Sequence, residues 1–303
     1  MLVIPGAIIV NIKTMDAQVP SSSQNSPSLS VVCSFWFGPL SWLERTSIAS
    51  FIAQGHDFWL YSYDEPANLP QGCTWVDAAT IIPRDEMFFY KGNRSPAVFA
   101  DYFRLMLMAR AVGIWVDCDM VCVKPFRDLP PHVFGMEFDP GKGTHAGQIN
   151  NAVLRLPPDS PLLVTLLDLF EDDGRDRDPV WLPWYRRSEE VFLRRMMGEK
   201  IGLAHMQFGA TGPFPLTYFA RKLGLDKEAL PRTAFYPLPY TQAPRLMTPG
   251  TRLDDFTTEG TLGVHLWRMA LTERSRLSTP PAPEPGSALA DLAKTLSIDV
   301  ADV

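Results

Sequence analysis

Two acidic residues two apart, Asp117 and Asp119, follow the apolar run Ile114-Trp115-Val116. Side chains at i and i+2 of an extended chain point the same way, so both carboxylates can converge on one divalent cation, whose natural ligands are hard oxygens. A cation held there can bridge the phosphates of a nucleotide diphosphate. Just upstream, Asp101 and Arg104 sit three apart inside a segment that is apolar nearly all round, Ala97 to Ala111. Such a pair is either an internal ion pair or a grip on sugar hydroxyls beside the two acids. Two further stretches carry polar groups on apolar strands: QINNAVLR, with Asn150 and Asn151, and TLGVHLWR, with His265 and Trp267. An amide both donates and accepts hydrogen bonds, so either Asn suits a hydroxyl-bearing ligand or a plain turn.

The elements around these residues alternate. LSVVCSFWF (Leu29 to Phe37) reads as a first strand, ended by Gly38 and Pro39 and followed by a helix to about Gln54. Strands at Phe58 to Tyr63 and Thr74 to Asp77 come next, then the Ala97 to Ala111 helix, which Gly113 is expected to close, and the strand that carries the acids. That order predicts an α/β fold with a mostly parallel central sheet, helices on both faces, and ligands at the carboxyl ends of the strands. Downstream are strands His132 to Phe138 and Gln148 to Arg155, a helix Pro161 to Phe170 capped by Ser160, and a helix from Trp184 to Met197. Lys91 and Arg94 fall on a face that is either solvated or turned to phosphate.

Composition bounds the function class. A chain of 303 residues with 46% hydrophobic and 11% aromatic content can build one large core, and a net charge of −6 argues against nucleic acid as a partner. Cys33, Cys73, Cys118 and Cys122 show no C-x-x-C spacing and read as reduced thiols. MLVIPGAIIVNIK lacks a basic n-region and is broken by Pro5 and Gly6, which makes it a poor signal peptide and leaves Met15 an alternative start. Residues 1–28 are expected to be a disordered leader and 29–270 one domain, with a nucleotide half to about 126 and an acceptor half from 127. Residues 271–303 read as a Pro-rich tail whose amphipathic end, Ala288 to Ile298, is expected on a partner or a membrane.

The pattern D-x-x-R, helix, G-I-W-V-D-C-D and then a K-P turn resembles the D-x-D region of retaining glycosyltransferases. The group (glycosyltransferase family 32-like) includes capsular polysaccharide transferases, initiating mannosyltransferases, lipid α-1,4-galactosyltransferases and glucosylating toxins. The resemblance implies a GT-A fold with added helices on the acceptor side, a UDP- or GDP-sugar donor, a saccharide or glycolipid acceptor, and Mn2+ or Mg2+. It implies Asp101 and Arg104 on the donor sugar, Trp115 near the nucleotide, and Asp117 and Asp119 on the metal. It also implies Phe35 and Trp36 near the base, Asn150 and Asn151 opposite the sugar, His265 completing the metal site and Trp267 on the leaving diphosphate. Thr211, Gly212 and Pro213 match a turn that shapes the acceptor side. Ala100 and Val112 depart from the usual Ser and Gly. The implied setting is bacterial surface polysaccharide or lipooligosaccharide synthesis; with no stretch as long as a transmembrane helix, the expected place is the cytoplasm, peripheral to the inner membrane.

Two other readings fit part of the pattern. DCDMV also satisfies the strand motif of haloacid dehalogenase-like phosphatases, where the first Asp is a nucleophile and the second a general acid. That motif usually follows a first strand near the amino terminus, whereas here it follows more than a hundred residues. A non-catalytic sugar-binding relative would keep the same side chains.

Overall fold

The computed structural model describes residues 29–89, 95–141, 143–171, 178–187, 191–198, 209–272 and 279–301. The expected leader, the alternative start at Met15, and Lys91 and Arg94 lie outside them. Strands β1 (Val32–Phe35), β2 (Phe58–Ser62), β3 (Cys73–Asp77) and β4 (Ile114–Val116) are followed by β5 (Met120–Cys122), β6 (Val133–Met136), β7 (Ile149–Arg155) and β8 (Gly263–His265). Helices α1 (Trp42–Ala53), α2 (Ala97–Ala109) and α3 (Pro161–Asp168) precede two single turns, α4 (Trp184–Arg187) and α5 (Leu193–Met196). The chain continues through α6 (Pro213–Leu223), α7 (Arg232–Phe235), α8 (Arg268–Leu271) and α9 (Ala288–Thr295).

Six strands form one sheet in the order β3-β2-β1-β4-β7-β6. The first four run parallel and β7 is antiparallel to both its neighbours, so five of the six share a direction. After β3 the chain crosses back to place β4 on the other side of β1. The carboxyl ends of β1 and β4 are therefore a topological switch point, where an open sheet leaves a crevice for ligands. Asp117 leaves β4 there.

Alternation along the strands explains the two covered faces. Cys33, Phe35 and Trp115 pack with Phe99, Phe103 and Leu107 of α2, while Val32, Ile114 and Val116 face Ile48 and Phe51 of α1. Burying each large α2 side chain stabilises the fold by about 1.5–3 kcal/mol, which fixes the helix against the sheet despite the charged pair it carries.

Gly113 has a different task from the expected one. Ala111 takes the left-handed residue after α2 (φ 52°), and Gly113 lets β4 approach β1, since a Cβ on it would lie 2.2 Å from the Val31 carbonyl oxygen. Ser160 precedes α3 as expected but does not cap it. Its hydroxyl instead lies 2.9 Å from His132 Nε2. The expected helix over Trp184 to Met197 is described only as the turns α4 and α5.

The expected strand at Thr261 to Arg268 is only the three residues of β8. It joins no strand of the main sheet, pairing instead with β5 in a separate ribbon that places Met120 opposite His265. The amphipathic end of the chain is also corrected, because its apolar face is covered by the chain itself. Leu289, Ala293 and Ile298 pack with Trp42, Leu43 and Leu246, and Trp42 Nε1 donates to the Pro280 carbonyl. All four cysteines are free thiols. No helix among the described residues is long and apolar enough to cross a membrane.

Candidate active site

Arg104 is the hub of a buried polar cluster. Its guanidinium lies 3.3 Å from Asp101 and 3.2 Å from Asp117, donates to the Asn151 carbonyl at 2.6 Å, and stacks 4.6 Å from the Trp115 ring centre. Arg104 and Asp101 are both buried, so neither charge is solvated and each depends on these partners. Asn151 Nδ2 donates to Asp101 Oδ1 at 2.9 Å and the Thr211 hydroxyl donates to Oδ2 at 2.6 Å. Burial pushes the Asp101 carboxyl above its ordinary value, against the pull of Arg104, Thr211 and Asn151. The Thr211-Gly212-Pro213 turn thus lands on the pair, and a Cβ on Gly212 would come within 2.9 Å of the Asn151 amide nitrogen.

Asp117 joins this group to a second one. Trp115 Nε1 donates to its Oδ1 at 2.7 Å, and its backbone N–H bonds the Ala152 carbonyl of β7. Two residues on, Asp119 Oδ1 sits 3.1 Å from His265 Nε2, and Asp119 Oδ2 accepts from the Arg268 backbone N–H at 2.8 Å. Ligand atoms of Asp117, Asp119 and His265 lie within 4.8 Å of one another. Burial opposes the charge on Asp119, but His265 and Arg268 outweigh it and hold the carboxyl below its ordinary value. Burial likewise disfavours imidazolium at His265, and the Asp119 carboxylate more than offsets it, so that ring is raised.

The residues fit a cation. Two carboxylates and an imidazole form one compact donor set, and His265 Nδ1 is buried without a hydrogen-bond partner, a cost that an additional ligand or a ring flip would relieve. The carboxylates suit Mg2+ or Mn2+, and the imidazole tilts the set towards Mn2+, the transition ion of the two.

The aromatic residues divide. Trp267 packs against His265, with ring centres 4.1 Å apart and planes tilted by 57°, and its Nε1 donates to the Leu238 carbonyl, leaving a ring face rather than a donor for a ligand. Its backbone is left-handed (φ 57°), which costs a non-glycine residue about 1–2 kcal/mol. Trp36 is half-buried at the end of β1 and lines a cavity of about 300 Å³ with Ser62, Tyr63 and Asp64 at the end of β2. Phe35 is not brought to that cavity. It is buried among Tyr63, Phe99 and Phe103, with the Phe103 ring centre 4.6 Å away, and is a core residue.

Asn150 does not join the Asp101–Arg104 cluster, its amide donating to Glu137 Oε2 and accepting from the Ala152 N–H. A larger cavity, about 400 Å³, lies at the opposite ends of the strands. It holds no acid and its one cation, Arg155, is spent on backbone carbonyls and Ser30.

Four residues at the site were not picked out as site residues from the sequence: Glu44, Glu137, Tyr236 and Arg268. Glu137 gathers the Gln148 and Asn150 amides on one oxygen. Tyr236 lies under His265 and Trp267 and accepts from the Val153 N–H. Only Glu44 carried a readable signal, the S-x-x-E of a capping box at Ser41-Trp42-Leu43-Glu44.

No family model matches the chain. It is similar to the Subversion of eukaryotic traffic protein A of Legionella pneumophila subsp. pneumophila, 25% identical over 153 residues that make up 49% of this chain and 23% of that protein. The match therefore spans about a quarter of the relative's length. Among solved structures it resembles a PaToxG Glycosyltransferase with a TM-score of 0.37 and 13% identity, over 65% of this chain and 71% of that one. Neither likeness is high enough to assign the chain to a family.

Proposed function

We propose that the chain is a metal-dependent, retaining glycosyltransferase of GT-A type that moves a hexose from a UDP-sugar, or a GDP-sugar, to a saccharide or glycolipid acceptor. One observation carries this reading: Asp117, Asp119 and His265 converge within 4.8 Å at the switch point of the sheet, with the buried Asp101–Arg104 pair against Asp117. Asp117, Asp119 and His265 would hold Mn2+ or Mg2+, and a bound cation would neutralise the diphosphate as the sugar leaves it.

In this reading Trp36 and its cavity receive the base, and Trp267 presents a ring face to the diphosphate. Arg104 and Asp101 hold donor-sugar hydroxyls, with Asn151 and Thr211 fixing Asp101. The acceptor hydroxyl attacks the anomeric carbon as the bond to the diphosphate breaks, and its proton passes to the departing phosphate oxygen. Retention is part of the proposal by resemblance to the D-x-D group. So is the setting in bacterial surface polysaccharide or lipooligosaccharide synthesis, and a place in the cytoplasm beside the inner membrane is proposed with it.

Asp119 argues against the phosphatase reading. A general acid needs an oxygen from which to present its proton, and both oxygens of Asp119 are engaged, one facing His265 Nε2 and the other accepting the Arg268 N–H. The test is to incubate the protein with Mn2+ and a panel of UDP- and GDP-sugars, and separately with p-nitrophenyl phosphate. Metal-dependent release of UDP or GDP is expected. Cleavage of the phosphate ester with every nucleotide sugar intact would overturn the proposal.

A further inference from the structure

Asp119 is held from one side by His265 and from the other by a backbone N–H, that of Arg268. A backbone donor is only as well placed as the turn that carries it. This turn follows Trp267, whose left-handed φ of 57° is unfavourable for a side chain of that size. Besides the Leu266 N–H, which bonds the Asp119 carbonyl at 2.8 Å, two side-chain anchors among the described residues keep it there. One is the Trp267 indole on the Leu238 carbonyl. The other is an ion pair, Arg268 Nε on Glu44 Oε1 at 2.8 Å, to a carboxylate whose side chain is 0% exposed.

Glu44 is itself fixed. Its second oxygen accepts from the Ser41 backbone N–H at 2.8 Å and the Ser41 hydroxyl at 2.5 Å, at the start of α1. A carboxylate would cap α1 equally well from a solvated position, and nothing in the capping requires its full burial. The burial is accounted for by Arg268, which spans from Glu44 to the face of Trp36, 5.7 Å from the ring centre, while its N–H reaches Asp119.

We infer that Glu44 is a positioning residue of the metal site, acting through Arg268 to hold the turn that orients Asp119. The inference rests on the metal-site reading above and adds to it a residue outside the donor set. Partners of metal ligands of this kind commonly change metal affinity about 10–100-fold when removed.

The experiment titrates Mn2+ into the full chain, reading free Mn2+ by electron paramagnetic resonance, with Tm measured alongside. Glu44→Gln keeps the size of the side chain and removes its charge. Ser41→Ala removes one of the two Ser41 bonds to Glu44 and weakens the cap, while the backbone bond to Oε2 and the ion pair of Oε1 with Arg268 remain. Glu44→Gln is expected to weaken Mn2+ binding about tenfold, and Ser41→Ala to lower Tm while leaving Mn2+ affinity within about twofold. Should Glu44→Gln fail to fold, Arg268→Gln removes the pair from its more accessible side and carries the same expectation. Unchanged Mn2+ affinity in both pair variants, or equal weakening by Ser41→Ala, overturns the inference and leaves the metal site standing. A wild-type chain that binds no Mn2+ overturns both.

Discussion

Asp119 and His265 meet at 3.1 Å although 146 positions separate them in the chain. Their meeting depends on the ribbon of β5 and β8, which sets Met120 opposite His265 and so turns the residue before Met120 towards the imidazole. The donor set is thus a product of tertiary pairing.

Asp119→Asn removes the charge that pairs with His265 but keeps an acceptor for the Arg268 N–H. The fold is expected to survive and metal-dependent nucleotide binding to vanish. In a thermal shift with Mn2+ and UDP or GDP, wild type should gain about 2.7 kcal/mol at a hundredfold excess over Kd, and the variant nothing. A shift of wild-type size would remove Asp119 from the donor set.

Arg104→Ala would strand Asp101 without its cation in the interior, at a cost of about 3–5 kcal/mol. Arg104→Lys is the more informative change, because it keeps the charge and loses the flat fork that spans Asp101, Asp117 and the Asn151 carbonyl. Use of an intact nucleotide sugar should fall at least about tenfold more than affinity for the free nucleotide, a difference of about 1.4 kcal/mol. Equal losses would mark Arg104 as a structural ion-pair partner.

Gly212→Ala adds a single methyl group 2.9 Å from the Asn151 amide nitrogen and 3.2 Å from Asp101 Oδ1. Overpacking of this kind costs about 1–3 kcal/mol, and here the displaced groups are those that fix Asp101. Both Tm and turnover should fall, with Mn2+ affinity kept, since no metal ligand is touched.

His56 gives a pH dependence of definite sign. Its Nδ1 faces the Ser30 carbonyl and its Nε2 accepts the Phe126 N–H, an arrangement that requires the neutral ring. Burial lowers its pKa in spite of the Ser30 bond. The unfolded chain therefore takes up the proton first: the contribution to stability is full above an unfolded value of about 6.5 and is lost as pH falls towards the lower folded value. His56→Gln can still accept the Phe126 N–H. Its denaturant midpoint should drop less than that of wild type between about pH 7.5 and 5.5, and parallel curves would contradict the assignment.

Much of this arrangement is visible in the chain itself, for reasons that can be named. Asp117 and Asp119 announce themselves because two carboxylates at the end of an apolar run have no packing role. Asp101 and Arg104 do so because a helix apolar all round has no solvated face to give them. Side-chain parity is less legible. Phe35 and Trp36 have different surroundings, as do Asn150 and Asn151, but which of the first pair meets the cavity, and which of the second meets Asp101, depends on which sheet face α2 covers. The shortness of β8 escapes sequence reading, because three residues carry little periodicity and their partner strand is 141 positions or more away. Glu44 is legible as a helix cap, whereas the arginine that explains its burial lies 224 positions downstream.

The β5–β8 ribbon also fixes when the molecule can become competent. As a nascent chain leaves the ribosome, the sheet strands and both carboxylates emerge well before the histidine does, and a domain generally folds as a unit, so the donor set waits for the last strand. Until position 265 is out, Asp117 and Asp119 repel each other with no imidazole beside them. A truncation between the end of β7 and position 265 would keep all six strands of the sheet and remove the imidazole from the donor set.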